Sequence, residues 1–183
     1  MNTANKITMI RVILVPIFMV LFMFGKEGPM LYTAIGVFIA ASITDAIDGY
    51  VARKYQQVTN FGKFVDPLAD KVLTTAAFLI LVSYDRMSVW ALMIVLVREF
   101  MVSGIRLVAA GDGKVVAASM WGKLKTVTQM IAIIVAMLLL PVDKFLGVQA
   151  GLISDILIWI SVAFTIISGV DYLAKNCNLL NMK

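Results

Sequence analysis

Residues 45–70 read DAIDGYVARKYQQVTNFGKFVDPLAD, and the rest of the chain consists largely of apolar segments on either side of this stretch. The stretch holds four of the eleven acidic residues in the chain: Asp45, Asp48, Asp66 and Asp70. A carboxylate beside a long apolar segment is unfavourable unless it is paired or bound to a metal ion. We therefore expect these four side chains to have a function.

The spacing of the four aspartates predicts two acidic helix faces joined by a short polar loop. On an α-helix, Asp45 and Asp48 lie one turn apart on a face that otherwise carries small residues. Asp66 and Asp70 follow Gly62 at intervals of four residues, along one side of a second helix. Converging carboxylates repel one another, so the cluster should take up protons or bind divalent cations, and oxygen ligands suit Mg²⁺ or Mn²⁺. We interpret the cluster as a metal site.

The composition is that of a membrane protein. The chain has 183 residues, 61% of them hydrophobic, and a mean hydropathy of +0.95, which is too apolar for a soluble domain. Cys177 is the single cysteine and there is no histidine, which excludes an internal disulfide and the usual general base and zinc ligand. The sixteen basic residues are scattered among apolar segments, so we expect anionic lipid headgroups and phosphates rather than nucleic acid as partners.

The apolar segments predict an all-α, polytopic membrane protein in which one domain, residues 1–183, crosses the lipid bilayer six times. A short polar segment precedes the first span, and Pro67 is expected in the opening turn of the third. The predicted spans cover approximately residues 7–24, 30–53, 62–84, 88–109, 117–140 and 151–173.

The basic residues predict the orientation of these spans. With six spans, twelve basic residues fall on the side that holds both termini and the loops at 54–62 and 110–118. The other side holds Lys26, Arg86 and Lys144. The positive-inside rule therefore predicts that residues 45–70 lie on the cytoplasmic side of the membrane.

The spacing D-x2-D-G-x2-A-R-x8-G-x3-D-x3-D is complete between Asp45 and Asp70, and it resembles the signature of the CDP-alcohol phosphotransferases. Eight fixed positions over 26 residues rarely agree by chance. Three further stretches resemble the bacterial members that make phosphatidylglycerol phosphate: DPLADK at 66–71, REFMVSGIRLVAA at 98–110 and GKLKT at 122–126.

The resemblance implies a homodimeric enzyme of phospholipid biosynthesis that transfers the phosphatidyl group of CDP-diacylglycerol to sn-glycerol 3-phosphate and releases CMP. It implies that Asp45, Asp48, Asp66 and Asp70 ligate two divalent cations, Mg²⁺ or Mn²⁺. Asp70 would also accept the proton of the acceptor hydroxyl. The residues implied to contact CDP-diacylglycerol are Asn5, Thr8, Gly49, Ala52, Arg53, Thr59 and Gly62.

Four basic residues in the second half of the chain are candidates for binding the acceptor's phosphate: Arg98, Arg106, Lys123 and Lys125. Arg98 and Glu99 could instead form a structural ion pair with neighbouring helices. Lys123 and Lys125 point about 200° apart on a helix, so we expect one of them to face the substrate. These cations favour a phosphate-bearing acceptor such as glycerol 3-phosphate.

Two alternatives remain open. The first is the same chemistry with another acceptor, such as phosphatidylglycerol, serine or an inositol phosphate, because the signature does not distinguish acceptors. The second is an ion or proton transporter with intramembrane carboxylates. A transporter predicts acidic residues at mid-depth on several spans, whereas here four of the eleven acidic residues gather in residues 45–70, at one predicted membrane surface.

Overall fold

The computed structural model describes residues 3–25, 28–54, 60–111, 119–142 and 147–177, apart from the side chains of 3–7, 45–54, 60–67 and 70. Every regular element in these ranges is helical, which confirms the predicted all-α class. The helices are α1 (Thr3–Phe24), α2 (Pro29–Lys54), α3 (Asn60–Ser83), α4 (Val89–Gly111), α5 (Met120–Leu139), continued by a 3₁₀ turn (Leu140–Val142), and α6 (Val148–Asn176).

The first three helices form a compact unit, Met1–Ser83, called here the N-terminal unit. Helix α1 packs against both α2 and α3, and α2 also touches α3. At its core the Phe18 ring lies 5.6 Å from that of Phe22 and 5.4 Å from that of Phe38, between centroids. Small buried residues let the helix backbones approach closely. They are Ala34, Ala41, Ala69, Ala76 and Ala77.

The last three helices form a second compact unit, Tyr84–Lys183, called here the C-terminal unit. Helix α6 packs against both α4 and α5. Its buried side carries hydroxyl groups, three of which donate to backbone carbonyls one turn earlier, so they can be buried at little cost. These residues are Ser154, Ser161 and Thr165, and Ser168 is buried on the same helix.

Within the part of the chain that the structure describes, two helical stretches are long and apolar enough to cross a membrane, Met120–Val142 and Val148–Asn176. Shorter apolar stretches occupy Thr8–Phe24, Pro29–Thr44 and Lys71–Ser83. Large apolar side chains also remain exposed on several helices, as expected where lipid rather than water is the neighbour. These features indicate a membrane protein, and the number of spans stays a prediction.

Helix α5 begins at Met120, three residues later than the predicted start of that span at 117. The cause is a local hydrogen bond, because Ser119 precedes the helix in an extended conformation and its Oγ accepts from the Gly122 N–H at 3.1 Å. A serine in this position satisfies one of the backbone donors that the first turn leaves unpaired. The side chain therefore sets the boundary where hydropathy alone does not.

The boundaries of α3 and α6 also differ from the prediction. Helix α6 runs from Val148 to Asn176, so it extends three residues beyond the predicted span at each end. Helix α3 already begins at Asn60, so Pro67 lies well past its first turn. The expectation that Pro67 belongs to the opening turn is therefore wrong, because the helix starts earlier than the apolar segment does.

Candidate active site

The acidic signature lies on two helices of the N-terminal unit. Asp45 and Asp48 are one turn apart in α2, and Asp66 and Asp70 are four residues apart in α3. This helical backbone is the one that the spacing argument requires. The four side chains lie outside the described residues, so their convergence on a metal stays a prediction. Among the side chains that the structure does describe, no group of three or more His, Cys, Asp or Glu is placed to hold a metal ion.

The chemistry of the donor set fits a hard divalent cation. The signature offers carboxylates, the chain has no histidine, and its one cysteine, Cys177, is exposed near the end of the described chain. Carboxylate oxygens suit Mg²⁺ or Mn²⁺, whereas zinc and iron–sulfur sites use the imidazole or thiolate ligands that are lacking here. The residues of the signature therefore fit the predicted ions.

Among the predicted contacts to CDP-diacylglycerol, Thr8 is the residue whose side chain the structure describes. Thr8 is 1% exposed, on a part of α1 that faces into the N-terminal unit. Thr59 lies outside the described residues. The others belong to helices α1, α2 and α3, but their side chains are not described: Asn5, Gly49, Ala52, Arg53 and Gly62.

Arg11 is a buried cation, although it is one of the twelve basic residues that the charge count assigned to the cytoplasmic surface of the membrane. It follows Thr8 by three residues, so both lie on the same side of α1, and it is also 1% exposed. A guanidinium removed from water must be matched by polar or anionic groups. The signal that could have identified Arg11 is its helical spacing from Thr8, which was itself a predicted site residue.

In the C-terminal unit, Arg98 of α4 reaches both neighbouring helices. Its Nη1 donates to Glu99 Oε1 at 3.0 Å, and its Nη2 donates to Ser168 Oγ on α6. The guanidinium also lies against the first turn of α5, where a Cβ built on Gly122 would be 3.7 Å from Nη2. A Cβ built on Gly169 would be 3.1 Å from Arg98 Cγ, so a side chain at 169 would press on the arginine.

Lys125 of α5 joins this arrangement from the other side. Its Nζ donates to the same Glu99 oxygen that accepts from Arg98. The side chains are 13% exposed for Arg98, 21% for Glu99 and 7% for Lys125. Two largely buried cations therefore share one carboxylate, and we call these three residues the Glu99 cluster. Its formal charge is +1.

The two lysines of α5 differ in burial. Lys125 is buried in the Glu99 cluster, whereas Lys123, two residues earlier, is exposed. Residues two apart on a helix point to different sides, so Lys123 and Lys125 cannot both face the same binding site. The structure thus confirms that the two lysines diverge, and it shows which of them is exposed, a choice that the helical angle alone left open.

Arg106 lies two turns beyond Arg98 on α4 and also contacts α6. Its Nε donates to Tyr172 Oη at 3.3 Å, and its guanidinium carbon lies 5.7 Å from the centre of the tyrosine ring. Tyr172 is 2% exposed and packs with Val102 and Ile105, so it is a fixed support for the arginine. Ser168 and Tyr172, one turn apart on α6, therefore support the two candidate arginines, and the sequence analysis identified neither.

Comparison with known proteins agrees with the resemblance seen in the sequence. A family model described as CDP-alcohol phosphatidyltransferase matches residues 1–167. A CDP-diacylglycerol–glycerol-3-phosphate 3-phosphatidyltransferase of Bacillus subtilis is 46% identical over 190 residues, covering 98% of this chain and 97% of the relative. One of Haemophilus influenzae is 36% identical over 189 residues, covering 100% and 98%. A probable phosphatidylglycerophosphate synthase of Mycobacterium tuberculosis is 36% identical over 176 residues, covering 95% and 81%.

Proposed function

The chain belongs to the CDP-alcohol phosphatidyltransferase family, and from this membership we propose that it transfers the phosphatidyl group of CDP-diacylglycerol to sn-glycerol 3-phosphate. The products are phosphatidylglycerol phosphate and CMP. The observation that carries the proposal is the 46% identity, over 98% of this chain, to a Bacillus subtilis protein whose name states both substrates. The chain is therefore an enzyme of phospholipid synthesis rather than an ion transporter.

In this proposal the signature aspartates act on the donor. Asp45, Asp48, Asp66 and Asp70 bind two divalent cations, Mg²⁺ or Mn²⁺, which when bound neutralise the charge of the donor's diphosphate. The support is their donor chemistry and their helical spacing on α2 and α3. The residues proposed to hold the rest of CDP-diacylglycerol are Asn5, Thr8, Gly49, Ala52, Arg53, Thr59 and Gly62.

Asp70 is proposed as the general base. The hydroxyl group of glycerol 3-phosphate is a weak nucleophile until its proton is removed. Asp70 takes that proton while the hydroxyl oxygen forms a bond to the phosphorus of the phosphatidyl group. The bond from this phosphorus to the CMP oxygen breaks, and CMP leaves with the electron pair.

Cations of the C-terminal unit are proposed to bind the acceptor's own phosphate. Arg98 and Arg106 lie on one side of α4 and are oriented by α6, and Lys123 is the exposed lysine of α5. Arg98 keeps donor capacity beyond its contacts to Glu99 and Ser168, since its buried Nε–H has no acceptor among the described residues. A fixed guanidinium with remaining donors suits a phosphate, which favours glycerol 3-phosphate over a neutral acceptor.

We further propose that the protein is a homodimer in the bacterial inner membrane and crosses it six times with the signature on the cytoplasmic side. The apolar helices and the unequal distribution of basic residues support this orientation. In a Cys177→Ser background, a cysteine introduced at Gln57 should react with a membrane-impermeant reagent only from the cytoplasmic side. Reaction from outside would overturn the orientation.

The reaction is tested with purified protein, CDP-diacylglycerol and a panel of acceptors: glycerol 3-phosphate, serine, inositol phosphate and phosphatidylglycerol. Each is assayed with Mg²⁺, with Mn²⁺ and with excess EDTA, and the lipid product is identified by mass spectrometry. We expect phosphatidylglycerol phosphate and CMP with glycerol 3-phosphate and metal. If only a different acceptor gives a lipid product, glycerol 3-phosphate is not the acceptor and that compound takes its place in the proposal. Full turnover in excess EDTA would overturn the proposed dependence on a metal ion.

A further inference from the structure

The Glu99 cluster contains a carboxylate where a site for a phosphate should disfavour one. Glu99 lies next to Arg98 in sequence, and Arg98 Nη1 donates to its Oε1 at 3.0 Å. Alone, this contact would cancel the charge of the arginine proposed to bind an anion, and it would place a negative charge near a phosphate. Lys125 changes the charge balance between Arg98 and Glu99, because it donates to the same Glu99 oxygen and adds a second positive charge.

We propose that Glu99 and Lys125 are a pair of positioning residues that hold Arg98 in place while leaving its positive charge for the acceptor's phosphate. This inference rests on the proposed function. Glu99 fixes one end of the Arg98 guanidinium, and Lys125 neutralises Glu99. Lys125 acts through Arg98 and does not itself contact the substrate.

The geometry of Arg98 supports a positioning role for its neighbours. The guanidinium is held at Nη1 by Glu99 and at Nη2 by Ser168, so contacts from two helices restrict its rotation. Gly122 and Gly169 leave room beside it, where larger side chains would crowd the guanidinium or its stem. An arginine fixed in this way loses less conformational entropy when it binds a phosphate.

The burial of Lys125 separates its role from that of Lys123. The Lys125 side chain is 7% exposed and ends at Glu99, so its charge is already used inside the unit. A lysine that bound substrate directly would have to leave Glu99, and the contact through which α5 balances the Glu99 charge would be lost. Lys123 is exposed, so it could bind a phosphate without Lys125 leaving Glu99.

The test uses the full-length protein and four variants: Lys125→Met, Lys125→Arg, Glu99→Gln, and the double variant Glu99→Gln/Lys125→Met. Lys125→Met should raise the KM for glycerol 3-phosphate by about tenfold, because Glu99 then neutralises Arg98. Its KM for CDP-diacylglycerol should stay within about twofold. Lys125→Arg keeps the charge, so it should raise the acceptor KM no more than about twofold. Glu99→Gln leaves Arg98 positive but weakens the contact that fixes it, so the acceptor KM should rise by about threefold, less than for Lys125→Met.

The double variant decides between positioning and direct contact. It removes both charges of the pair and leaves Arg98 positive, so its acceptor KM should return to within about threefold of the wild type. If Lys125 binds the phosphate itself, the double variant will show an acceptor KM raised by about tenfold, which would overturn the proposal. Removing a buried ion pair together is better tolerated than removing one partner, so this result stands even if Lys125→Met folds poorly.

A matched control is Lys175→Met, which removes the lysine of a second ion pair in the same unit. Lys175 Nζ lies 2.7 Å from Asp171 Oδ1 on α6 and is exposed. This variant should leave both KM values unchanged. If the wild type does not use glycerol 3-phosphate, the proposed function fails. If it does, and the double variant is not rescued or the donor and acceptor KM rise together, only the positioning role fails.

Discussion

The two units bring charge into an apolar protein in different ways. In the N-terminal unit the predicted catalytic residues follow one another at fixed spacings, all between residues 45 and 70. In the C-terminal unit the charged residues meet across helices, over separations of 26 residues for Lys125 and Glu99 and of 70 residues for Arg98 and Ser168. Local spacing can be read from one sequence, whereas cross-helix pairs depend on packing. The aspartates of the N-terminal unit could therefore be identified from the sequence motif, whereas the charged contacts of the C-terminal unit required the structure.

The largest expected effect falls on the signature. Asp45→Asn or Asp66→Asn should lower kcat by roughly 10²- to 10³-fold or more, because each removes a proposed ligand of the cations that would stabilise the charge of the transition state. The measurement is CMP release under saturating substrates and metal. Asp155→Asn, an exposed residue of α6, is the control and should change kcat by less than about twofold. A loss below about tenfold for both signature variants would show that the ligands are assigned wrongly.

Arg11 tests whether the N-terminal unit also depends on a buried cation. Arg11→Ala should destabilise the protein by about 3–5 kcal/mol, because it leaves the groups around the buried guanidinium unmatched and opens a cavity. Thermal unfolding in detergent is the measurement, and Arg11→Lys, which keeps the charge, should lose less. An unchanged melting temperature for Arg11→Ala would indicate that the cation belongs to the membrane surface, as the charge count alone predicts.

Arg98 and Arg53 contrast the two units directly. Arg98→Ala should raise the acceptor KM by about ten- to a hundredfold and leave the donor KM nearly unchanged, since charge-assisted hydrogen bonds are each worth about 1.5–3 kcal/mol. Arg53→Ala should show the opposite bias. Initial rates with each substrate varied in turn provide the measurement, provided that substrate binding is close to equilibrium. Equal effects on both KM values from both variants would contradict the proposal that Arg53 binds the donor and Arg98 binds the acceptor.

The elements that could be predicted from the sequence are those set by local periodicity. The apolar segments indicated the helices, and the signature indicated the family and the two helices that carry the aspartates. The start of α5 was missed because the hydrogen bond from Gly122 to Ser119, rather than hydropathy, sets that boundary. Pro67 was misplaced because α3 begins before its apolar segment does.

The parts that could not be predicted depend on contacts between helices. The helical angle between Lys123 and Lys125 indicated that they diverge, but only Glu99 on another helix determines which of them is buried. Ser168 and Tyr172 were missed because a serine or tyrosine in an apolar helix carries no local signal of the arginine that it will meet. The register between α4 and α6 supplies that information.

Tyr172 provides the smallest expected effect and the finest test of the C-terminal unit. Tyr172→Phe removes the hydroxyl that accepts from Arg106 Nε at 3.3 Å but keeps the ring beneath the guanidinium. Because one long hydrogen bond is lost while the cation–π contact stays, the acceptor KM should rise by only about threefold. Steady-state kinetics with glycerol 3-phosphate varied is the measurement, and the donor KM should not change.

The Tyr172→Phe effect must pass through Arg106 if the tyrosine is a support and not a substrate contact. In an Arg106→Ala background the hydroxyl has no guanidinium to orient, so adding Tyr172→Phe should leave the acceptor KM of that variant unchanged. The double-mutant cycle then gives a coupling energy equal to the whole effect of Tyr172→Phe. If the substitution raises KM by the same factor in both backgrounds, the coupling is zero and Tyr172 affects the acceptor without Arg106. In that case the contact between Arg106 and Tyr172 would contribute to packing alone. The hydrogen bond from Arg98 to Ser168 would then be the contact through which α6 orients a cation for the acceptor's phosphate.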